Sequence, residues 1–206
     1  NKRLRLFQVV ELTKGFFIDQ FKNSSAAVAV RSYVESRKIS VDSLTIFGVG
    51  YSLPEWDKLI IFLRSKGFTI EEIMLAGLAL KSERGPGAYD RFRDRLMFPI
   101  NDAQGRTIGF GGRTLQVDAK EAKYINSPQT SIYNKSYVVY NLDRAKNYIK
   151  EAGYAVLVEG YMDVVGSWQA GVKNVVATSG TALTLEQLKL LKRYTNELRL
   201  SFDADL

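Results

Sequence analysis

The amino-acid sequence predicts an α+β half followed by an α/β half built on a parallel sheet, and three observations carry that division. Apolar residues recur at helical spacing through roughly the first 80 positions. From Asn141 the pattern becomes short, continuously apolar strands alternating with helices. Charge segregates the same way: the stretch from Arg84 to Arg113 is arginine-rich and free of lysine, whereas Ala155 to Ala182 holds one cation, Lys173, and two carboxylates. Residues 1–140 are therefore expected to form a basic subdomain of helices and short antiparallel strands, and residues 141–206 an α/β subdomain.

In chain order, Leu4, Phe7, Val10 and Leu12 mark a first helix and Ala26 to Arg37 a second. Pro54 can open a third, with Trp56, Leu59, Ile60 and Leu63 on its packed face. Thr69 and Glu72 stand at the spacing of a capping box, and Gly77 is placed to stop that short helix. After the break at Gly85-Pro86-Gly87, Leu96 to Ile100 and Thr107 to Phe110 read as strands around a turn from Asn101 to Gly105. Asn141 caps a helix from Leu142 to Ala152. A strand from Ala155 to Val158, a helix from Met162 to Trp168 and a strand from Asn174 to Ala177 follow. Thr184 and Gln187 open a helix reaching about Tyr194, and Glu197 to Phe202 is the last strand. Such strands, joined by helices, imply a parallel sheet covered on both faces, with its ligand-binding edge at the strand C-termini.

Of the 206 residues 46% are hydrophobic, enough for a substantial core, and 29 Lys/Arg against 22 Asp/Glu leave a net charge of +7. That balance suits a polyanionic partner. The chain has no histidine and no cysteine, which excludes imidazole and thiolate chemistry, disulfides and any zinc–thiolate site. What remains is carboxylates, cations, hydroxyls and an oxygen-ligated metal. No apolar run approaches the ~18–20 residues of a membrane span, and the N-terminus has no signal-type block. A soluble, cytoplasmic protein without a membrane partner is expected.

The chemistry is expected where carboxylates end strands. Glu159 directly follows Ala155 to Val158, and Asp203 and Asp205 follow Arg199 to Phe202. In an Asp-x-Asp unit both side chains can reach one site. Carboxylates gathered in this way stay ionised together only beside cations, and oxygen donors favour Mg²⁺ or Mn²⁺. Asp163, on the first turn of the next helix, can assist.

The strand followed by Glu159-Gly160-Tyr161-Met162-Asp163-Val164, with the later Asp203-x-Asp205, resembles a Toprim domain. Upstream, Arg91 to Ile100, Gly109 to Arg113 and Lys123 to Pro128, with Ala177 to Ala182, resemble the polymerase core of bacterial DnaG-type primases. The resemblance covers nearly the whole chain. It implies a DNA-directed RNA polymerase, a nucleotidyltransferase that makes short RNA primers on single-stranded DNA from ribonucleoside triphosphates. It implies Glu159, Asp203 and Asp205 as catalytic metal ligands for Mg²⁺ or Mn²⁺, with Asp163 nearby. It also implies a template and nucleotide groove at Arg37, Arg91, Arg93, Arg113, Lys123, Tyr124, Asn126 and Lys135. The residues themselves suit those tasks: arginines grip phosphates, a tyrosine offers a stacking face, and Gly111 and Gly112 let a backbone approach closely. Phe92, Met97, Phe98, Ile100, Trp56 and Trp168 are read as packing; for Tyr161 a structural role is preferred over a hydroxyl near the metals.

Two local departures stand out: Ala204 and Lys38 occupy positions where the family commonly has glycine. The family also continues past the position of Leu206, so the sheet and metal site are expected to be truncated at the C-terminus. A zinc-binding N-terminal domain and a C-terminal domain that recruits the replicative helicase are expected outside this chain. The alternatives are a Toprim-type nuclease or topoisomerase-like enzyme, or a non-catalytic single-strand-binding module.

Overall fold

The computed structural model describes residues 2–83, 85–116, 122–178, 180 and 182–202. Helix α1 (Lys2–Asn23) is followed by a 3-10 turn, α2 (Val28–Ser36), α3 (Val41–Phe47), strand β1 (Gly50–Ser52), α4 (Lys58–Ser65) and α5 (Ile70–Leu75). Strands β2 (Ala79–Lys81), β3 (Ala88–Asp90), β4 (Arg95–Asn101), β5 (Thr107–Arg113) and β6 (Tyr124–Asn126) come next. The remainder alternates α6 (Leu142–Ala152), β7 (Ala155–Val158), α7 (Tyr161–Gln169), β8 (Val175–Ala177), α8 (Leu185–Leu191) and β9 (Leu198–Leu200).

Strands β1, β4, β5 and β6 form an antiparallel sheet in the order β1-β4-β5-β6, and β2 pairs with β3 as a separate hairpin. The second half holds the expected parallel sheet, in the order β8-β7-β9. Its alternation is visible in the packing. Ala155, Leu157 and Val176 point toward α6 and α8, while Val158, Val175 and Ala177 point toward α7.

Both faces of the antiparallel sheet are buried as well. Met97 and Phe110 pack on α1, α4 and α5; Leu96, Phe98, Ile100 and Ile108 pack on the other side. That other side is the face already covered by α7, so Tyr161, Val164, Val165 and Trp168 sit in the same apolar cluster as Phe98 and Tyr51. One core thus runs across residues on both sides of positions 140 and 141.

The capping boxes at Thr69/Glu72 and Thr184/Gln187 form as the sequence predicts, and Gly77 adopts a left-handed φ of 73°. Other expectations are corrected. Helix α1 buries Leu6, Val9, Val10, Thr13, Phe17 and Phe21, a stripe at mostly four-residue steps, and leaves Leu4 57% exposed. The face is chosen by the sheet beneath it rather than by the first apolar residues. Helix α4 begins at Lys58, not at Pro54. Its cap is remote: the buried carboxylate of Asp90 accepts the Leu59 and Ile60 backbone N–H groups at 2.8 and 3.0 Å. Trp56 therefore lies outside the helix and is 62% exposed, not packed. Strand β5 runs on past Phe110 through two glycines to Arg113, because Gly111 and Gly112 pair with β4 and β6.

Candidate functional site

Where β5 and β6 pair, Arg113 stands directly opposite Tyr124. The Arg113 guanidinium donates to the Tyr124 hydroxyl at 3.0 Å and lies 5.5 Å from the Tyr124 ring centroid and 4.7 Å from that of Tyr33 on α2. A planar cation between two rings keeps its charge while losing little mobility on binding. Burial pushes the Tyr124 phenol up, with Arg113 opposing it. Tyr33 also meets Arg37, whose guanidinium lies 5.9 Å from the same ring, at the C-terminal end of α2.

Arg37 is held there by its successor. Lys38 takes a left-handed φ of 56°, and the Ile39 N–H bonds to the Val34 carbonyl, closing the helix end. This is a conformation glycine adopts without strain, which accounts for lysine being the exceptional choice.

Lys123 precedes β6, and its backbone is placed by Arg95, a buried residue absent from the predicted site. Arg95 Nη1 donates to the carbonyls of Ala122, Lys123 and Gly112 at 3.0, 3.3 and 3.4 Å. Opposite these cations is the end of β7. Glu159 is exposed there, and Asp163 turns back so that its carboxylate accepts the Gly160 N–H at 3.0 Å, capping α7.

Together Arg37, Arg113, Lys123, Tyr124, Glu159 and Asp163 line one cleft of ≈ 300 Å³. Six of the predicted residues are thus brought to one place, cations on one wall and carboxylates on the other. Asp203 and Asp205, with Ala204 between them, lie outside the described residues. Among the described residues no three carboxylates form a cluster able to hold a metal. The donors that Glu159 and Asp163 offer are hard oxygens only, a set that fits Mg²⁺ or Mn²⁺ and not a soft metal.

The other predicted residues lie outside the cleft lining. Asn126 accepts the Tyr161 hydroxyl on Oδ1 at 2.7 Å, while its backbone carbonyl accepts Arg91 Nη2 at 3.1 Å. Arg93 lies 4.2 Å from the Trp56 ring and 5.2 Å from that of Tyr89. Exposed Trp56, which the sequence reading had assigned to packing, thus joins half-buried Tyr89 and Arg93 in an aromatic and cationic platform. Lys135 is exposed on a 3-10 turn away from the cleft lining. Gly111 and Gly112 do admit a close approach, but of protein. A Cβ at Gly111 would fall 2.3 Å from the Tyr161 ring, and one at Gly112 would fall 3.1 Å from Arg95 and Met97.

A larger cleft, ≈ 1000 Å³, lies between α1, α5 and residues 128–131. It gathers none of the predicted site residues, and its Arg5 is committed to Glu72 at 2.7 Å. That pairing, with the Thr69 backbone N–H, holds the Glu72 carboxyl down at about 2. No helix among the described residues is long and apolar enough to cross a membrane.

The family described as DNA primase catalytic core, N-terminal domain, matches residues 16–146, and a Toprim-like family matches residues 156–206. The chain is 40% identical over 208 residues to a DNA primase of Synechococcus elongatus, covering all of this chain and 30% of that protein. It is 43% identical over 197 residues to a DNA primase of Clostridium acetobutylicum, covering 95% of this chain and 31% of that one. It therefore spans about a third of the length of these relatives. Among solved structures, the RNA polymerase domain of Mycobacterium tuberculosis primase DnaG superposes with a TM-score of 0.92 at 37% identity, covering 98% of this chain and 67% of that one. A DnaG primase catalytic domain bound to single-stranded DNA superposes with a TM-score of 0.86 at 36% identity, covering 99% and 62%.

Proposed function

This chain belongs to the DNA primase catalytic-core family, and on that premise we propose that it is the RNA-polymerising core of a bacterial DnaG-type primase. The whole protein synthesises short RNA primers on single-stranded DNA from ribonucleoside triphosphates. It works in the cytoplasm at the replication fork, with a replicative helicase as partner. Residues 1–140 supply the basic subdomain and residues 141–206 part of the Toprim subdomain.

The observation that supports this reading is the cleft in which Arg113, Lys123 and Arg37 face Glu159 and Asp163. Phosphoryl transfer requires alignment and charge neutralisation more than covalent help from the protein. The cationic wall suits phosphate oxygens, and Tyr124 suits a stacked base or sugar. Glu159, with Asp203 and Asp205, would hold Mg²⁺ or Mn²⁺, with Asp163 beside them. Bound there, the metal supplies neutralisation of the charge that develops on the transferring phosphate. The basic platform of Arg91, Arg93 and Trp56, with Asn126 and Lys135, extends the path for template.

The test is template-dependent incorporation of ribonucleotides on single-stranded DNA by the full-length protein. Glu159→Gln should lower synthesis by roughly 100-fold or more while leaving DNA affinity intact. Arg113→Ala should instead weaken DNA binding and flatten its dependence on salt. Incorporation without template, or cleavage of DNA in its place, would reject the reading.

A further inference from the structure

We propose that α7 is a strut that sets the spacing between the acidic and basic walls of the cleft. Its first and last residues, Tyr161 and Gln169, are positioning residues that act through Asn126 and through the turn after Arg37. The proposal rests on the reading of the cleft as the nucleotide and template site.

Glu159 and Gly160 immediately precede α7 and Asp163 lies in its first turn, so any shift of this helix moves the acidic wall. The helix is tied to the basic wall at both ends, about 12 Å apart along its axis. At the near end Tyr161 is 1% exposed, with its ring stacked on Phe98 at 5.1 Å and edge-on to Tyr140 at 4.7 Å. Its ring occupies the space that a Cβ at Gly111 would need. Phenylalanine would fill the same space without carrying a polar group into the core, a group that is costly to bury unless bonded. The hydroxyl is bonded to Asn126 Oδ1 at 2.7 Å. Asn126 lies two positions beyond Tyr124 on β6, hence on the same strand face. One hydrogen bond thus fixes β6 to the loop that carries Glu159.

At the far end the Gln169 carboxamide makes three bonds to the turn that links α2 to α3 and to the first turn of α3. Its Oε1 accepts the Ser40 N–H at 2.7 Å and the Ser43 hydroxyl at 3.1 Å, and its Nε2 donates to the Lys38 carbonyl at 2.8 Å. That turn begins immediately after Arg37. Apolar packing alone would hold α7 in the core; directional bonds at its two ends fix its position along its own axis as well.

The experiment is a pair of double-mutant cycles in the full-length protein, reading the ribonucleotide KM, kcat and thermal midpoint. Tyr161→Phe, which keeps the packing, should raise the KM about three- to tenfold, the loss of one buried hydrogen bond. The double variant Tyr161→Phe/Asn126→Ala should be no worse than Asn126→Ala alone, and Gln169→Ala/Arg37→Ala no worse than Arg37→Ala alone. A lowered midpoint with an unchanged KM, or single effects that multiply in the doubles, would overturn the proposal. Glu159→Gln is the control. If it is inactive, those outcomes bear on the strut alone; if it synthesises primers normally, the functional reading fails and the strut with it.

Discussion

The two walls of the cleft are held by different means. On the basic wall every cation rests on something rigid: Arg113 between two tyrosines, Lys123 on a backbone gripped by Arg95, Arg37 on a helix end closed by Lys38. The acidic wall is an exposed carboxylate at a strand end and a second one used to cap a helix. The difference follows from what each wall can tolerate. Arginine can be stacked and half-buried while staying charged. Carboxylates at a strand end and in a first helical turn need no such stacking, since a helix N-terminus itself favours negative charge. One wall is built on stacked and pinned cations, the other on the end of β7 and the first turn of α7.

Three substitutions sharpen or break that contrast. The largest effect is expected from Arg95→Met, which removes three bonds to carbonyls of the basic wall and leaves the Lys123 carbonyl to the Thr114 N–H. It should destabilise the fold by about 2–4 kcal/mol in chemical denaturation and weaken single-stranded DNA binding. Unchanged stability would show that the wall does not depend on this buried cation.

Asp90→Ala should cost about 2 kcal/mol at pH 5, since it removes the remote cap of α4 beside the Arg91 and Arg93 platform. Here pH matters. Burial pushes the Asp90 carboxyl up to about 6, against the two N–H bonds that favour its charged form. The stability this group contributes is full below about pH 4 and is lost as pH rises through 6. Between pH 5 and pH 7 the gap between wild type and variant should therefore narrow by about 1 kcal/mol. A gap that widens over the same range would contradict the burial argument. The smallest effect is a gain: Lys38→Gly should stabilise by about 0.5–1 kcal/mol by relieving the left-handed backbone, without altering DNA affinity.

What could be read from the sequence was what neighbours in sequence decide. Both capping boxes join residues three apart, and the apolar runs of β7 and β8 mark a parallel sheet without reference to anything distant. Glu159 was visible because it ends such a run, and the motif matched to the primase family carried Arg113, Lys123 and Tyr124. The misses are long-range. Asp90 caps a helix some 30 positions earlier, Arg95 serves carbonyls 17 to 28 positions later, and Tyr33 stacks on an arginine 80 positions away. Trp56 was misread because a large apolar residue near a helix start suggests packing, whereas only the fold shows it facing solvent against Arg93.

The apolar cluster that runs from Phe98 and Tyr51 through Tyr161 to Trp168 decides how this cleft can move. A hinge between the two sheets would have to open a close-packed interior, so closing on a substrate as two jaws do is not available to these elements. Adjustment is left to exposed side chains at the rim such as Lys123, whose rotamers change in nanoseconds rather than milliseconds. Most of the entropy of ordering the basic wall has then been spent in folding, before anything binds.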